Sequence, residues 1–135
     1  MRLKRNRILI VEDEESLLKL ESILLTSKGY RVVGVTEGSA ALREVSENPP
    51  DLVILDLMLP GIDGFEICRS IKGNPLTAAI PIIMLTAKKN GQDMERGLHA
   101  GAAAYITKPF KSAHLMATID KLLRNEPNGR ISQGL

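Results

Sequence analysis

Five side chains suited to metal or acid–base chemistry follow short apolar runs of the sequence. Glu12 and Asp13 come directly after ILIV, Asp56 comes directly after LVIL, and Thr86 comes directly after IIML. Lys108 lies two residues beyond AYI. A charged side chain at the end of an apolar strand is costly unless something pairs with it or uses it. These positions are therefore the first candidates for a functional site.

The residue types point to a metal ion and an anionic ligand. Carboxylates held close together repel one another and raise each other's pKa, which a divalent cation relieves. Hard oxygen ligands favour Mg²⁺ (or Mn²⁺), and no His or Cys lies beside them to indicate zinc. Lys108 next to such a site favours a phosphoryl group, for which a carboxylate such as Asp56 can be the acceptor. Mg²⁺ and Lys108 would neutralise charge on the phosphoryl oxygens, and Thr86 could donate a hydrogen bond to one of them.

Each position also has a simpler interpretation. The segment EDEES at 12–16 is typical of an acidic helix N-terminus, which interacts favourably with the helix dipole. Asp56 alone could cap or brace a loop, and Thr86 or Lys108 alone is uninformative. Their joint occurrence after different strands favours a shared site.

Short apolar runs predict the strands that position these side chains. They show no polar alternation, which is typical of parallel strands covered on both faces. The predicted strands are 8–11, 32–35, 52–55, 82–85 and 104–106.

Helix-like segments lie between the predicted strands. In the first of them, Leu17, Leu20 and Leu24 form an apolar stripe. The predicted helices are Ser16 to Lys28, Ser39 to Glu47, Asp63 or Gly64 through Ile71 to the GNP segment, Gln92 to Ala100, and Ser112 to Leu123.

Strands that alternate with helices predict an α/β fold, a single doubly wound (βα)5 domain of the flavodoxin-like kind. The expected order of its five-stranded parallel sheet is 2-1-3-4-5, with the switch point between strands 1 and 3. Ligands of such sheets bind beyond the carboxyl ends of the strands, where the candidate side chains lie.

The composition excludes several classes of protein. With 135 residues, of which 44% are hydrophobic and 25% charged, the chain has the size and composition of one globular domain. Its apolar runs are far shorter than the roughly 20 residues of a transmembrane helix, and no secretory signal is visible. A single Cys excludes an internal disulfide and fits a cytoplasmic location. The net charge of +2 gives no argument for nucleic-acid binding.

Two terminal segments are expected to lie outside the domain, which is predicted over 8–124. Residues 1–7 are typical of a solvated basic leader, and a nucleic-acid-binding arm is the less favoured alternative. Residues 125–135 are polar and contain Gly and Pro, which is typical of a tail or the beginning of a linker.

The motifs resemble the receiver domain of two-component response regulators. The resemblance covers 8–123 and rests on ILIVEDE, DLVILDLMLPGIDGFE, IPIIMLTA, the GA pair at 101–102, and YITKPF. It implies that Asp56 is the phosphoacceptor and that Asp13 binds Mg²⁺ directly, whereas Glu12 acts mostly through water. The backbone carbonyl of Met58 would complete the metal site. The acidic pair is Glu-Asp in place of Asp-Asp, a common variant that should not impair metal binding.

The resemblance also implies roles for residues around the phosphoryl group. Lys108 would pair with that group, and the family usually has the Lys108–Pro109 peptide bond in cis. Thr86 would be the switch hydroxyl and Tyr105 the switch aromatic, which rotates from exposed to buried. Ala87, being small, would leave room over the phosphoryl site.

The function so implied is that of a Mg²⁺-dependent phosphorelay switch. The donor would be a phosphohistidine on a sensor histidine kinase or a histidine phosphotransfer protein, or a small molecule such as acetyl phosphate. The chain would assist its own phosphorylation and dephosphorylation without being a turnover enzyme. Its output protein or domain is unknown, and the readout surface is expected at 91–124. Whether this surface also forms a phosphorylation-dependent homodimer is left open by the sequence. Neither direct nucleic-acid binding by this domain nor a membrane partner is expected.

Two other functions stay open. A receiver-fold scaffold or dimerisation module would not use phosphorylation, although the presence of every site residue argues against it. A phosphatase with Asp56 as nucleophile, similar to haloacid-dehalogenase-like enzymes, would need an Asp two residues later, where this sequence has Met58. His99 and His114 are expected to be ordinary helix or surface residues, and Cys68 a small half-buried helix residue.

Overall fold

The structure, a computed structural model, describes residues 6–124, in which five strands alternate with five helices. Most of the basic leader and the whole of the predicted tail at 125–135 lie outside the described residues. The elements in chain order are β1 Arg7–Val11, α1 Glu15–Ser27, β2 Arg31–Val35, α2 Gly38–Glu47, β3 Leu52–Leu55, α3 Gly64–Lys72, β4 Ile82–Thr86, α4 Gly91–His99, β5 Ala104–Thr107 and α5 Ser112–Arg124.

The strands form one parallel sheet in the order β2-β1-β3-β4-β5. The predicted fold class and strand order are therefore confirmed. The predicted element ends differ from the structure by only one or two residues; α1, for example, begins at Glu15 and not at Ser16. Such differences are of the size expected where helix ends fray.

The helices cover the sheet on two faces, and each face has its own apolar core. On one face, α1 and α5 pack over Ile10, Ile54 and Leu85. On the other face, α2, α3 and α4 pack over the alternate residues of the same strands, such as Val11 and Leu55. Because successive side chains of a strand point to opposite faces, each strand serves both cores.

The prediction that all strands are covered on both faces holds for β1, β3 and β4 and is wrong for the two edge strands. Every residue of β3 and β4 is buried, whereas β2 exposes Arg31 and Gly34. In β5 only Ile106 is fully buried. An edge strand has a neighbour on one side only, so the flanking layers shield it less completely.

The predicted apolar stripe of α1 lies along one groove and is only partly covered. Leu20 is 49% exposed, and the residues that α1 buries completely are Glu21 and Leu25. The apolar pattern alone therefore does not identify the most deeply buried face of α1.

Two side-chain caps position the loops that follow β3 and β4. Asp63 accepts a hydrogen bond from the Phe65 N–H at 3.0 Å, and Asn90 accepts one from the Asp93 N–H at 2.8 Å. Gly64 lies so close to the main chain that an added Cβ would be 2.7 Å from the Leu57 Cα. The start of α3 is thus packed directly against the segment that follows β3.

The packing of α4 on the sheet depends on Gly97. A Cβ added at Gly97 would lie 2.6 Å from the Met84 Sδ and 3.1 Å from the Tyr105 ring. We expect Gly97→Ala to lower the free energy of unfolding by about 1–3 kcal/mol, because overpacking outweighs the higher helix propensity of alanine. Gly91→Ala is the matched control, since a Cβ added there, at the start of the same helix, would meet nothing within 4 Å. Urea unfolding measures both variants, and equal stabilities would contradict the assigned packing.

Candidate functional site

The register of the sheet brings the candidate residues together at one edge. Val11 pairs with Leu55, and the Asp56 N–H donates to the Val11 carbonyl at 3.1 Å. Glu12 and Asp56 therefore follow neighbouring strands at the same level. On the other side of Asp56, the Lys108 N–H donates to the Thr86 carbonyl at 2.8 Å. The residues that follow the carboxyl ends of β1, β3, β4 and β5 thus form one polar cluster.

Three carboxylates and one ammonium form the centre of this cluster. Glu12, Asp13 and Asp56 each present a carboxylate oxygen, and these oxygens all lie within 4.8 Å of one another. The Lys108 Nζ lies 2.7 Å from Glu12 Oε1 and 2.8 Å from Asp56 Oδ2. Glu12 and Asp56 are buried, whereas Asp13 is exposed. The cluster is therefore open to solvent on the Asp13 side.

The charges in the cluster shift one another's proton affinity. Burial raises the pKa of Glu12, while hydrogen bonds from Lys108 and from the Glu14 N–H oppose that rise. Burial alone would lower the pKa of Lys108, but its hydrogen bonds to Asp56 and Glu12 outweigh this effect and the pKa is raised. Lys108 is therefore held as an ammonium, and its hydrogen bond favours the charged form of Glu12.

The donor set fits a hard divalent cation. Counted at their formal charges, three carboxylates and one ammonium sum to −2, and every metal-ligating atom of the cluster is a carboxylate oxygen. Carboxylates of this kind are the ligands that Mg²⁺ takes in proteins. The Met58 N–H donates to Asp56 Oδ1 at 2.9 Å, which orients the central carboxylate. Of the predicted ligands, Glu12, Asp13 and Asp56 meet in space, and Met58 lies in the loop immediately beyond them.

The two predicted switch residues are linked through the main chain of Lys88. The Lys88 N–H donates to the Thr86 hydroxyl oxygen at 3.4 Å, and the Tyr105 hydroxyl donates to the Lys88 carbonyl at 2.9 Å. Thr86 is fully buried and Tyr105 is partly buried. Thr86 and Tyr105 are therefore both hydrogen-bonded to the main chain of the same residue.

Ala87 and Pro109 border the cluster on its α1 side. The Lys108–Pro109 peptide bond is cis, as the resemblance implied. Ala87 is exposed and lines an apolar groove of about 650 Å³ between α1 and the β5–α5 segment. The groove is lined by Leu17, Leu20, Leu24, Ala87, Lys108, Pro109, Phe110 and Ser112.

Glu21 is a polar residue near the site that the sequence reasoning missed. Its side chain is fully buried, and within residues 6–124 neither of its carboxylate oxygens has a hydrogen-bond partner. Burial, reinforced by the charge of Glu12, raises its pKa to about 7, and Lys108 opposes the rise. The sequence carries no signal for it, because an acid within a helix normally marks the solvated face, and only the structure shows Glu21 buried together with Leu25.

The remaining polar candidates lie away from the cluster. His99 and His114 are exposed on α4 and α5, as expected for surface residues. Cys68 is fully buried, not half-buried, and its thiol donates to the Ala100 carbonyl at 3.4 Å. Burial raises the pKa of the Cys68 thiol to about 11, which disfavours a reactive thiolate.

The fold and the cluster together define a class of protein. A doubly wound sheet of order 2-1-3-4-5 carries an acid cluster at its switch point and a lysine opposite. Residues 8–120 match the family model described as the response regulator receiver domain. The chain belongs to this family of two-component signalling domains.

Relatives and solved structures agree with this assignment. The DNA-binding response regulator MtrA of Mycolicibacterium smegmatis is 42% identical over 133 residues, which cover 96% of this chain and 57% of MtrA. The signal receiver domain of a histidine kinase from Syntrophus aciditrophicus is 35% identical, with a TM-score of 0.84 and 96% of each chain covered. The receiver domain of the sensor histidine kinase PA1611 from Pseudomonas aeruginosa is 34% identical, with a TM-score of 0.83. The match covers 90% of this chain and 99% of the PA1611 domain, which was solved with a magnesium ion in its active site cleft.

The chain spans about half the length of the MtrA proteins that it matches. Among residues 6–124, no helix is long and apolar enough to cross a bilayer.

Removal of one cluster carboxylate should weaken cation binding. We expect Asp13→Asn to lower the affinity for Mg²⁺ by about tenfold or more, because one of the three negative charges facing the cation is lost. Glu15→Gln is the matched control, since this exposed acid in the first turn of α1 lies outside the cluster. Calorimetric titration with MgCl₂ measures both variants, and an equal loss in the two would show that only general charge matters.

Proposed function

We propose that this receiver domain accepts a phosphoryl group on Asp56 and passes the change to a protein-binding face around α4, β5 and α5. The observation that carries the proposal is the buried Asp56 carboxylate, bonded to the Lys108 ammonium at 2.8 Å inside a three-carboxylate cluster. A nucleophilic carboxylate and a cation for the incoming anion thus lie within one hydrogen bond of each other.

The transfer step is a displacement at phosphorus. A carboxylate oxygen of Asp56 forms the new P–O bond, while the P–N bond of a donor phosphohistidine breaks and the imidazole leaves with the electron pair. With acetyl phosphate, the bond between phosphorus and the acetyl oxygen breaks and acetate leaves. Lys108, already paired with Asp56, moves its charge to an oxygen of the transferred group. Hydrolysis later returns inorganic phosphate and the free carboxylate.

The metal in this proposal is Mg²⁺ (or Mn²⁺). When bound, it would supply positive charge to the phosphoryl oxygens. Asp13, Asp56 and the Met58 carbonyl would hold it directly, and Glu12 would do so through water. The magnesium ion in the cleft of the PA1611 receiver domain supports this choice of cation.

The proposed response begins at Thr86. Its hydroxyl would turn towards the phosphoryl group, which would weaken the long bond from the Lys88 N–H. The Lys88 carbonyl is the acceptor for Tyr105, so a movement of this segment would also release or redirect the aromatic ring. Such a response shifts the population of existing conformations.

The partners follow from this chemistry. The donor is a sensor histidine kinase or a histidine phosphotransfer protein, and the output is a protein or domain that the face at 91–124 contacts. A phosphorylation-dependent homodimer through that face is part of the proposal. The domain would extend over 8–124, act in the cytoplasm without binding nucleic acid or a membrane itself, and turn over no separate substrate. Met58 stands where a phosphatase of the haloacid-dehalogenase kind would need its second Asp.

The phosphoacceptor can be tested with acetyl phosphate. We expect Mg²⁺-dependent incorporation of one phosphoryl group, seen on a phosphate-affinity gel and by intact mass, and its complete loss in Asp56→Asn. Asp63→Asn is the matched control, because Asp63 lies in the same β3–α3 loop and asparagine also caps helices well. Loss in both variants would contradict the assignment of Asp56. If the wild type stays unmodified by acetyl phosphate and by a phosphohistidine donor, the scaffold function gains support.

The switch can be tested separately from the transfer. We expect Thr86→Ala to be phosphorylated on Asp56 but to lose the change in the Tyr105 ring resonances that beryllofluoride causes in the wild type. The reason is that only the Thr86 hydroxyl would link the phosphoryl site to the Lys88 segment. Thr107→Ala, at the paired position of β5, should keep that change. A normal Tyr105 response in Thr86→Ala would contradict this route.

A further inference from the structure

Apolar packing holds α4 on the rest of the fold only weakly. Of its nine described residues α4 buries Gly97 alone, whereas α3, which has the same length, buries five. Met94 and Leu98, the large apolar residues of α4, are 37% and 50% exposed. A helix with few buried contacts opens more readily than its neighbours. Side-chain links from α4 to other elements therefore carry more weight in fixing its position.

Arg96 makes such a link from α4 to the start of α3. Its Nη2 donates to Asp63 Oδ2 at 3.4 Å, and its guanidinium carbon lies 4.0 Å from the centroid of the Phe65 ring. A planar guanidinium can lie over an aromatic face while one of its N–H groups meets a carboxylate, which a lysine ammonium does less well. One side chain of α4 thus contacts both the cap and the first turn of α3.

The two partners of Arg96 are packed against the segment that follows β3. Asp63 Oδ1 accepts a hydrogen bond from the Phe65 N–H at 3.0 Å, and the Phe65 side chain is buried in the same core as Leu57. A Cβ added at Gly64, between the two partners, would lie 2.7 Å from the Leu57 Cα. Arg96 therefore connects α4 with the chain directly after the phosphoacceptor strand, by contacts separate from the route through the switch residues.

The link formed by Arg96 is of a strength that can open and close. The side chains of Arg96 and Asp63 are 52% and 44% exposed, and exposed ion pairs contribute little to stability. A cation–π contact at an exposed site is also modest. Two such contacts bias α4 towards one position without fixing it there, which suits a helix whose population of conformations is to be shifted.

We propose that Arg96, with Asp63 and Phe65, forms a latch that restrains α4, and with it the face at 91–124, on the start of α3. The latch belongs to the arrangement in which the Tyr105 hydroxyl is bonded to the Lys88 carbonyl. A displacement of α4 relative to α3 breaks both contacts of Arg96 together, because both partners belong to the start of α3. The effect of the latch on signalling rests on the proposed function, whereas the restraint on α4 does not.

The restraint on α4 can be measured without a phosphoryl donor. We expect Arg96→Met to raise the rate of backbone hydrogen exchange in α4 severalfold, because methionine has a similar helix propensity but loses the ion pair and the stacked cation. Arg69→Met is the matched control, since this exposed arginine of α3 pairs with Glu66 of its own helix and should leave exchange in α4 unchanged. NMR measures both variants. Unchanged exchange in Arg96→Met, or an equal rise in the two variants, would overturn the proposal.

A double-mutant cycle separates the latch from the effect of a positive charge at the end of α4. Arg96 lies in the last turn, so its removal also weakens a favourable interaction with the helix dipole. Asp63→Asn leaves Arg96 in place, keeps a residue that caps helices well and should also speed exchange in α4, by a smaller factor. In the double variant the increase should stay below the product of the two single increases, because both changes break one contact. Normal α4 exchange in Asp63→Asn, or full multiplication of the two effects, would overturn the latch.

The consequence for the switch can be measured by beryllofluoride titration in the presence of Mg²⁺. We expect half of the change in the Tyr105 ring resonances to occur at a severalfold lower beryllofluoride concentration in Arg96→Met than in the wild type, because the latch no longer opposes the shift. Arg69→Met should titrate like the wild type. Equal midpoints in Arg96→Met and the wild type would overturn the restraint on the face at 91–124. Absence of any Tyr105 change in all three proteins would instead count against the proposed function, with the hydrogen-exchange result unaffected.

Discussion

One ammonium shared between two buried carboxylates is the interaction on which the site depends. Glu12 and Asp56 follow neighbouring strands, so the sheet places two buried acids side by side. The Lys108 Nζ hydrogen-bonds to both of them, and its bond to Glu12 opposes the rise in the Glu12 pKa that burial causes. Exposed Asp13 adds a third carboxylate, which leaves the formal charge of the cluster negative. A cation bound to these carboxylates, or an anion bound to Lys108, would therefore compete with the hydrogen bonds between Lys108 and the two acids.

The sheet imposes the second constraint, which is distance. Lys108 follows β5, two strands from Asp56, and neighbouring strands are about 4.8 Å apart. Its side chain therefore has to pass over the end of β4, and the sequence there places the small residues Thr86 and Ala87. The strand order thus fixes the distance that the Lys108 side chain has to span to reach its acids.

The sequence predicted most of this arrangement because strand ends in a parallel sheet meet at one edge. Glu12, Asp13, Asp56 and Lys108 were recognisable as polar residues after apolar runs, and the strand order followed from the alternation of strands and helices. Glu21 was not recognisable, because an acid within a helix normally marks the solvated face, and only tertiary packing decides otherwise. The exposure of β2 was not recognisable either, because it depends on how far α1 and α2 overlap the edge of the sheet.

The cluster is joined to the α4 side of the sheet through the main chain of Lys88. Thr86, Lys88 and Tyr105 connect the cluster with the α4 side, where Gly97 lets the helix lie directly on the Tyr105 ring. Any movement of the Lys88 main chain must change both hydrogen bonds at once, since its N–H and its carbonyl each take part in one.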